Sequence, residues 1–397
     1  MFDILKKESI TEKNMTSIVE LFKQAWPVES WKKYGLFDES YIYEINLHWL
    51  QFPPPSKTTH YALAVFYIVF VVVGTFGNGT VLFMCLRCKS LHNPANTLVA
   101  NLAFSDGCMV SFMLVFIFNS FTLGPSFGSI GCQMYGFWSG VTGNCSICIL
   151  AAISLDRYHI TRDPLKYVLN RKRVKASIVF CWLYSTLFAV MPLLNIGVGK
   201  FVPEGYLTSC SFDYLSQTSA VRIFIFIYFV GAWVLPLSVI LYAYINIYRI
   251  TRNSKTLGGK FSSTDSFRHC RRENRRRQEL KLTIVSSVAI FLWFISWTPY
   301  AIVALLGITG NAHWISPFAS MVPALFCKTA SCLDPFLYAF SHPKFKGEIL
   351  AFLRRKGRWK VEIIRKRPHV SRKQGRNNVE TSTVDKKGLE TDIFSIN

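Results

Sequence analysis

Charge is almost absent from the long apolar segments of this sequence. The first of them, 61–86, has no charged residue, although the whole chain has 45 Lys and Arg against 23 Asp and Glu, a formal net charge of +22. The basic residues lie between the apolar segments and hardly ever inside them. A nucleic-acid binder would carry basic patches on a soluble surface, so this distribution excludes a nucleic-acid partner and favours a membrane.

Seven apolar segments are long enough to cross a bilayer, which takes a helix of about 20 residues. They cover 61–86, 97–118, 134–155, 176–196, 223–248, 282–308 and 314–340. A buried helix of a soluble protein can be as apolar, but seven in one chain make that reading the weaker one. We therefore predict an all-α membrane protein with an N-terminal segment (1–60), a seven-transmembrane-helix bundle (61–341), a short amphipathic eighth helix on the membrane surface (342–356) and a disordered cytoplasmic tail (357–397).

Two further absences predict the orientation. Residues 1–56 contain no apolar core of signal-peptide length, so we expect the first helix to act as its own insertion signal. Lysine and arginine are missing from the loops 122–131 and 310–313, but they crowd the alternate loops. Positive charge stays on the cytosolic side, which predicts a multi-pass protein of the cell membrane with an extracellular N-terminus. There the sequon at Asn14 could be glycosylated.

The eleven cysteines do not form a disulfide framework, because most lie in apolar segments or on the cytosolic side. Only Cys132, at the outer start of the third segment, and Cys210, in the loop before the fifth, face the oxidising side. A disulfide between them would pin that loop over the helices. Two free thiols at an oxidising surface are the less favoured alternative.

Some polar residues do lie inside the apolar segments, where they are either functional or hydrogen-bonded bridges between helices. Asp106 lies in the second segment, and Asp334 with Pro335 lies in the seventh, where a proline frees a backbone carbonyl for a polar partner. The other recognisable groups are Asn78, Asp156-Arg157-Tyr158, Trp182, Pro236, Tyr244, Ser296-Trp297-Thr298-Pro299-Tyr300 and Tyr338. Each is weak alone, but in this order and register they resemble the rhodopsin-like G-protein-coupled receptors over about residues 61–356.

Lys328 is a lysine in the middle of the seventh segment. An ammonium costs a few kcal/mol at that depth, and half a helix separates it from either interface. Burial favours a neutral amine, which can attack an aldehyde. Chemistry alone leaves an ion pair with Asp106 or Asp334 open. The position resembles the retinal-binding lysine of opsins, which implies 11-cis-retinal, or a close analogue, as a covalent Schiff base.

A protonated Schiff base needs a counter-anion. Three residues after Cys132, where vertebrate visual opsins have a glutamate, stands Tyr135, and the remaining candidate is Glu204 in the loop that contains Cys210. This arrangement resembles the invertebrate opsins. The loop and the segment that includes Trp297 and Tyr300 resemble arthropod rhabdomeric opsins in particular, which implies that both side chains contact retinal. A solvated glutamate and an ordinary core tryptophan are the alternatives.

The resemblance also implies a signalling mechanism. Glu279 would pair with Arg157 in the dark, and light would swing the sixth helix about Pro299 so that Arg157 meets a heterotrimeric G-protein. Tyr244 and Tyr338 would fill the space that opens. Rhabdomeric opsins couple to Gq and phospholipase C, and tail residues such as Thr381 and Ser382 would be phosphorylated by a receptor kinase for arrestin. The protein would then be a receptor in phototransduction and vision, not an enzyme.

Three departures from the family pattern keep other readings open. The second segment has no lysine at 111–113, Trp293 stands where many receptors have phenylalanine, and the loop 251–277 lacks a short basic motif of the major visual opsins. A retinal photoisomerase and a light-independent sensory receptor remain alternatives. A light-driven pump would need acidic relays, whereas Asp106 and Asp334 both lie in receptor motifs.

Overall fold

The computed structural model describes residues 12–163, 170–257, 266–341, 345–351 and 354, with side chains over 19–163, 170–252, 283–337, 345–351 and 354. The chain forms two compact units, Met1–Leu350 and Ala351–Asn397. Of the second unit only 351 and 354 are described. The predicted eighth helix is described only as helical at 345–351 and 354, so its full extent and the tail at 357–397 stay predictions.

The first unit is built almost entirely of α-helices. In chain order they are α1 (Glu12–Ala25), α2 (Val28–Lys32), α3 (Leu47–Leu50), α4 (Lys57–Arg87), α5 (Pro94–Phe121), α6 (Gly128–Arg162), α7 (Arg171–Val190), α8 (Ser219–Phe229), α9 (Leu235–Leu257), α10 (Ser266–Ile308), α11 (Pro317–Phe326) and α12 (Thr329–Ser341). Among the described residues, six helical stretches are long and apolar enough to cross a membrane. They coincide with the first six predicted segments.

The fifth and seventh segments are not single uninterrupted α-helices. A π-helical turn, Val230–Val234, joins α8 to α9 just before Pro236. The seventh segment divides into α11 and α12, with Cys327 and Lys328 in the turn between them. There Lys328 N donates to the carbonyl of Leu325 at 3.1 Å, the tighter spacing that commonly ends an α-helix. The prediction of one continuous helix over 314–340 was therefore wrong in this detail, and the site lysine lies at the break.

Side-chain caps explain where several helices begin. Ser56 accepts a hydrogen bond from Thr59 N at the start of α4, and Asn93 accepts one from Asn96 N before Pro94 begins α5. Ser316 caps α11 in the same way. Each cap provides an acceptor for an N–H group that has no partner within the helix.

Residues 19–52, here called the N-terminal cap, bury several aromatic side chains in a cluster that continues into α6, α8 and α10. Trp31 is fully buried, and Trp26 packs against it with ring centroids 6.0 Å apart. The cap is attached to the helices through His48 Nε2, which lies 2.6 Å from the carbonyl oxygen of Ile315. The sequence analysis treated 1–60 only as an N-terminal segment and did not foresee this packing.

A two-stranded hairpin lies between α7 and α8. Strand β1 (Phe201–Glu204) pairs antiparallel with β2 (Ser209–Phe212), so that Glu204 lies opposite Ser209 and Pro203 opposite Cys210. Gly205 follows β1 with a φ of +41°, and a Cβ there would lie 2.8 Å from the carbonyl oxygen of Pro317. Glycine is therefore required for the turn to approach α11.

Candidate functional site

One cavity lies among α6, α8, α10 and the α11–α12 break, beneath the hairpin. Its walls contain many aromatic side chains, which include Tyr135, Phe212, Tyr228, Trp233, Trp293 and Trp297. The open space is about 110 Å³. Lys328 and Glu204 both line it and supply its charged groups. Such an apolar cavity with a few convergent polar groups is the usual form of a ligand site.

Lys328 is 7% exposed and points into this cavity. Its Nζ donates to Cys327 Sγ at 3.5 Å and lies 5.9 Å from the ring centroid of Tyr135 and 5.8 Å from that of Trp297. Over the described side chains, no carboxylate lies within 4.0 Å of this nitrogen. The alternative of a direct ion pair with Asp106 or Asp334 is therefore not what the structure has.

Glu204 is 3% exposed, so it is not a solvated loop residue. Its Oε1 accepts a hydrogen bond from Tyr300 Oη at 3.0 Å. Burial raises the pKa of this carboxyl group, while hydrogen bonds from Ser211 and Tyr300 and the positive charge of Lys328 lower it. A buried carboxylate stays ionised only with such donors and a nearby cation, so the arrangement suits an anion that faces Lys328.

The wall formed by α10 consists of two stacked tryptophans. Trp297 lies on Trp293 with ring centroids 5.4 Å apart and planes 17° from parallel. Trp297 also presses against α6, because a Cβ on Gly143 would lie 2.5 Å from its ring. The unusual Trp293 thus lies directly below the tryptophan that the sequence predicted to contact retinal, and its own side chain is buried.

The hairpin is held over the cavity by the predicted disulfide. Cys132 at the start of α6 is bonded to Cys210 in β2, which confirms that pairing. Gln133 Nε2 donates to the carbonyl of Phe201 at 2.8 Å, and Asn119 Nδ2 donates to that of Thr208 at 3.1 Å. The hairpin is therefore attached to α5 and α6 at both strands.

If the chain forms a retinal pigment, as the resemblance implies, replacement of Cys210 with serine should lower the yield of that pigment severalfold. The disulfide closes a loop of 78 residues, and a crosslink of that size is worth roughly 4 kcal/mol in the chain-entropy account. Without it the hairpin that positions Glu204 loses its strongest attachment. Pigment formed per milligram of purified protein measures the effect, with Cys88→Ser, a half-buried cysteine outside the disulfide, as the control. Equal yields for both variants would contradict the prediction.

A second group of buried polar side chains lies deeper in the bundle. Asp106 accepts a hydrogen bond from Ser146 Oγ at 2.8 Å, and Asn78 Nδ2 donates to the carbonyl of Ser331 at 2.9 Å. Asp334 is 2% exposed on α12, and a Cβ on Gly77 would lie 2.7 Å from Pro335. Asp106 therefore connects α5 to α6, and Asn78 connects α4 to α12. Both act as hydrogen-bonded bridges between helices, one of the two roles that the sequence left open.

The third group lies at the far end of α6. Arg157 is 5% exposed and forms an ion pair with its neighbour Asp156. Tyr158 packs with Ala243 and Ile247 of α9, and Tyr244 Oη donates to the carbonyl of Thr283 at 3.3 Å. Glu279, Tyr338 and Asn14 lie in helices, but their side chains are outside the described part of the chain, so their roles stay predictions.

Sequence reasoning missed several residues around the cavity. Tyr214 packs edge-on against Tyr300 with centroids 6.3 Å apart, and Tyr67 and Phe116 close the wall from α4 and α5. Tyr41 of the N-terminal cap lies 3.5 Å from the sulfur of Cys210. The only available signal was the high aromatic content of these segments, which does not distinguish a cavity wall from ordinary packing.

Comparison with known proteins identifies the fold. Residues 77–338 match the family described as 7 transmembrane receptor (rhodopsin family). The chain is 38% identical to the ultraviolet-sensitive opsin of Apis mellifera over 78% of this chain and 84% of that protein. It is 38% identical to the protein named Rhodopsin, GQ-coupled, of Mizuhopecten yessoensis, over 77% of this chain and 62% of that protein. The crystal structure of squid rhodopsin matches with a TM-score of 0.70 at 32% identity, over 77% of this chain and 88% of that one. The predicted seven-helix fold is confirmed, with α11 and α12 together as the seventh span.

Proposed function

This chain belongs to the opsins, within the rhodopsin family of seven-transmembrane receptors, and from that membership we propose that it is a light-activated receptor that holds 11-cis-retinal covalently on Lys328. It is a multi-pass membrane protein. The observation that carries the proposal is the position of Lys328, a buried amine between two aromatic rings in the same cavity as the buried Glu204.

The residues of the cavity fit such a group. Lys328 Nζ has no carboxylate within ion-pairing distance among the described side chains and is therefore available for a covalent bond. Glu204, held by Tyr300, supplies the compensating negative charge, and the aromatic walls exclude water. Retinal, when bound, supplies the absorption of light and a change of shape on isomerisation.

The protein conveys that change through α10. Trp297 lies in the cavity wall two residues before Pro299, where the helix lacks a backbone hydrogen bond and can bend. A displacement of Trp297 and the stacked Trp293 would move the far end of α10 away from α6. Arg157 would then leave its pairing with Asp156 and contact a G-protein.

The G-protein is of the Gq type, and the downstream enzyme is phospholipase C. The support is the likeness to a relative named as Gq-coupled, together with the intact Asp156-Arg157-Tyr158 motif. Arrestin and a receptor kinase would act on the cytoplasmic tail. The protein would lie in a photoreceptor plasma membrane with its N-terminus outside and with Asn14 open to glycosylation.

One experiment tests the proposal as a whole. The purified full chain is incubated with 11-cis-retinal, its absorption spectrum is recorded before and after illumination, and nucleotide exchange on a Gq heterotrimer is measured in parallel. We expect a pigment band that light shifts, together with light-dependent exchange. A light-driven spectral change without nucleotide exchange would favour the photoisomerase alternative. Nucleotide exchange that is equal in the dark and in the light would favour the light-independent sensor. No pigment at all would refute the proposal.

A further inference from the structure

A second cleft opens on the outer side of the bundle, between α6, α7 and α9. It measures about 540 Å³ and is separate from the retinal cavity. Phe180 of α7 and Leu235 of α9 line it and are 63% and 52% exposed, so the cleft opens on the surface that faces lipid in a bilayer. Of its lining residues, Asp156 alone takes part in the proposed light-driven mechanism.

The cleft has a charged end and an apolar end. Because α6 and α7 are antiparallel neighbours, Asp156 and His159 near the end of α6 come beside Arg173 in the first turn of α7. Cys148 and Cys181 line the other part, with Val239 of α9. From 148 to 159 a helix rises about 16 Å, so the cleft is as long as a substantial part of one acyl chain.

The charged end has an excess of positive charge. Arg173 belongs to the first turn of α7, which carries no acidic residue, and Arg171, Lys172 and Lys175 are its neighbours. Over the described residues, the Arg173 side chain has no hydrogen bond or ion pair, whereas Asp156 is already paired with Arg157. Cations at a helix N-terminus also oppose the helix dipole. An anion beside Arg173 would reduce both the repulsion among these basic side chains and their unfavourable interaction with the helix dipole.

We propose that this cleft binds one anionic phospholipid, with its phosphate group on Arg173 and an acyl chain between α6, α7 and α9. Charge complementarity selects the headgroup, because the bilayer leaflet next to basic loops is rich in anionic lipid. The assignment to the cytosolic leaflet rests on the orientation in the proposed function. The headgroup lies beside Asp156, and lipid binding therefore acts on the residue that pairs with Arg157.

The test uses the full chain without retinal, in phosphatidylcholine nanodiscs that contain a trace of phosphatidylserine with a photoactivatable diazirine on its acyl chain. After irradiation, the labelled peptides are mapped by mass spectrometry. We expect labelling of the cleft walls on α6, α7 and α9, and about fivefold less with Arg173→Gln, as for loss of one basic residue at an anionic surface. Ala152→Phe, which fills the cleft, should remove the label while Arg173 remains.

Lys175→Gln is the matched control, because it removes the same charge from the same turn at an exposed residue that does not line the cleft. It should leave labelling of the cleft unchanged. Equal losses with Arg173→Gln and Lys175→Gln, or equal labelling by a diazirine phosphatidylcholine, would overturn the proposal. Circular dichroism confirms that each variant is folded. The measurement needs no pigment, and its light serves only to activate the diazirine, so its failure and that of the proposed function are distinguishable.

Discussion

Lys328→Ala should abolish pigment formation with 11-cis-retinal. A covalent attachment requires the amine, and over the described side chains Lys328 is the lysine that lines the aromatic cavity. The loss should be complete, because no hydrogen bond or packing contact can replace a missing bond-forming atom. The absorption spectrum of the purified, reconstituted protein measures the result, and surface expression should stay close to that of the unmodified chain.

Cys327→Ala provides the control for this experiment. Cys327 directly precedes Lys328 in the same turn and lines the same cavity. Its sulfur accepts the hydrogen bond from Lys328 Nζ. The variant removes a similar contact but keeps the amine, so it should still form pigment. A normal visible band in Lys328→Ala would refute covalent binding at this residue. Loss of pigment in both variants would show that any change in this turn disrupts the cavity, and the effect of Lys328→Ala would then not be specific to the amine.

Glu204→Gln should move the dark pigment toward an ultraviolet-absorbing form near neutral pH. The glutamine keeps the shape and can still accept a hydrogen bond from Tyr300, but it has no negative charge to stabilise a protonated linkage at Lys328. The proton is then lost at lower pH than in the unmodified pigment. Since deprotonation shifts retinal absorbance strongly, a pH titration of the spectrum reads this change directly.

Three comparisons make the counterion assignment specific. Tyr135→Phe should have a smaller effect, because the ring stays near Lys328 and only a neutral phenol is lost. Glu44→Gln removes the same charge in the N-terminal cap, away from the cavity wall, and should leave the titration unchanged. If Asp106→Asn or Tyr135→Phe moves the titration while Glu204→Gln does not, Glu204 is not the counterion.

The packing of the N-terminal cap could not be predicted from the sequence. Phe22 and Trp26 are four residues apart, a spacing that many surface helices share, and no local pattern states what they or Trp31 pack against. The structure buries them together and connects His48 to Ile315, which is 267 residues further along the chain. Such contacts depend on chain segments that are remote in sequence, which a local pattern does not encode.

The break between α11 and α12 shows the same limit within a span. Hydropathy correctly marked 314–340 as apolar, and proline at 323 and 335 was visible in the sequence. A proline can kink a helix, end it or be tolerated, depending on the neighbours that take up the freed backbone groups. The sequence therefore placed Lys328 in the seventh apolar segment but did not predict that it lies in a turn.

The sequence by itself determined the membrane-spanning character of the chain, its first six helices and the presence of a lysine, Lys328, inside the seventh apolar segment. These follow from local composition, because a bilayer selects apolar stretches of a given length and penalises a charge at any one position. Its motifs also led to the correct family.

Only the tertiary structure decided which acidic residue shares a cavity with Lys328. Chemistry alone left an ion pair of Lys328 with Asp106 or Asp334 open, and Glu204 was the candidate counter-anion by its resemblance to the invertebrate opsins. The folded chain instead brings Glu204 into the cavity through a disulfide-anchored hairpin and directs Asp106 toward Ser146. The lipid-facing cleft likewise depends on how α6, α7 and α9 pack and could not be predicted from the sequence. Distances between side chains are set by how helices pack, and that packing sums weak contacts over the whole bundle.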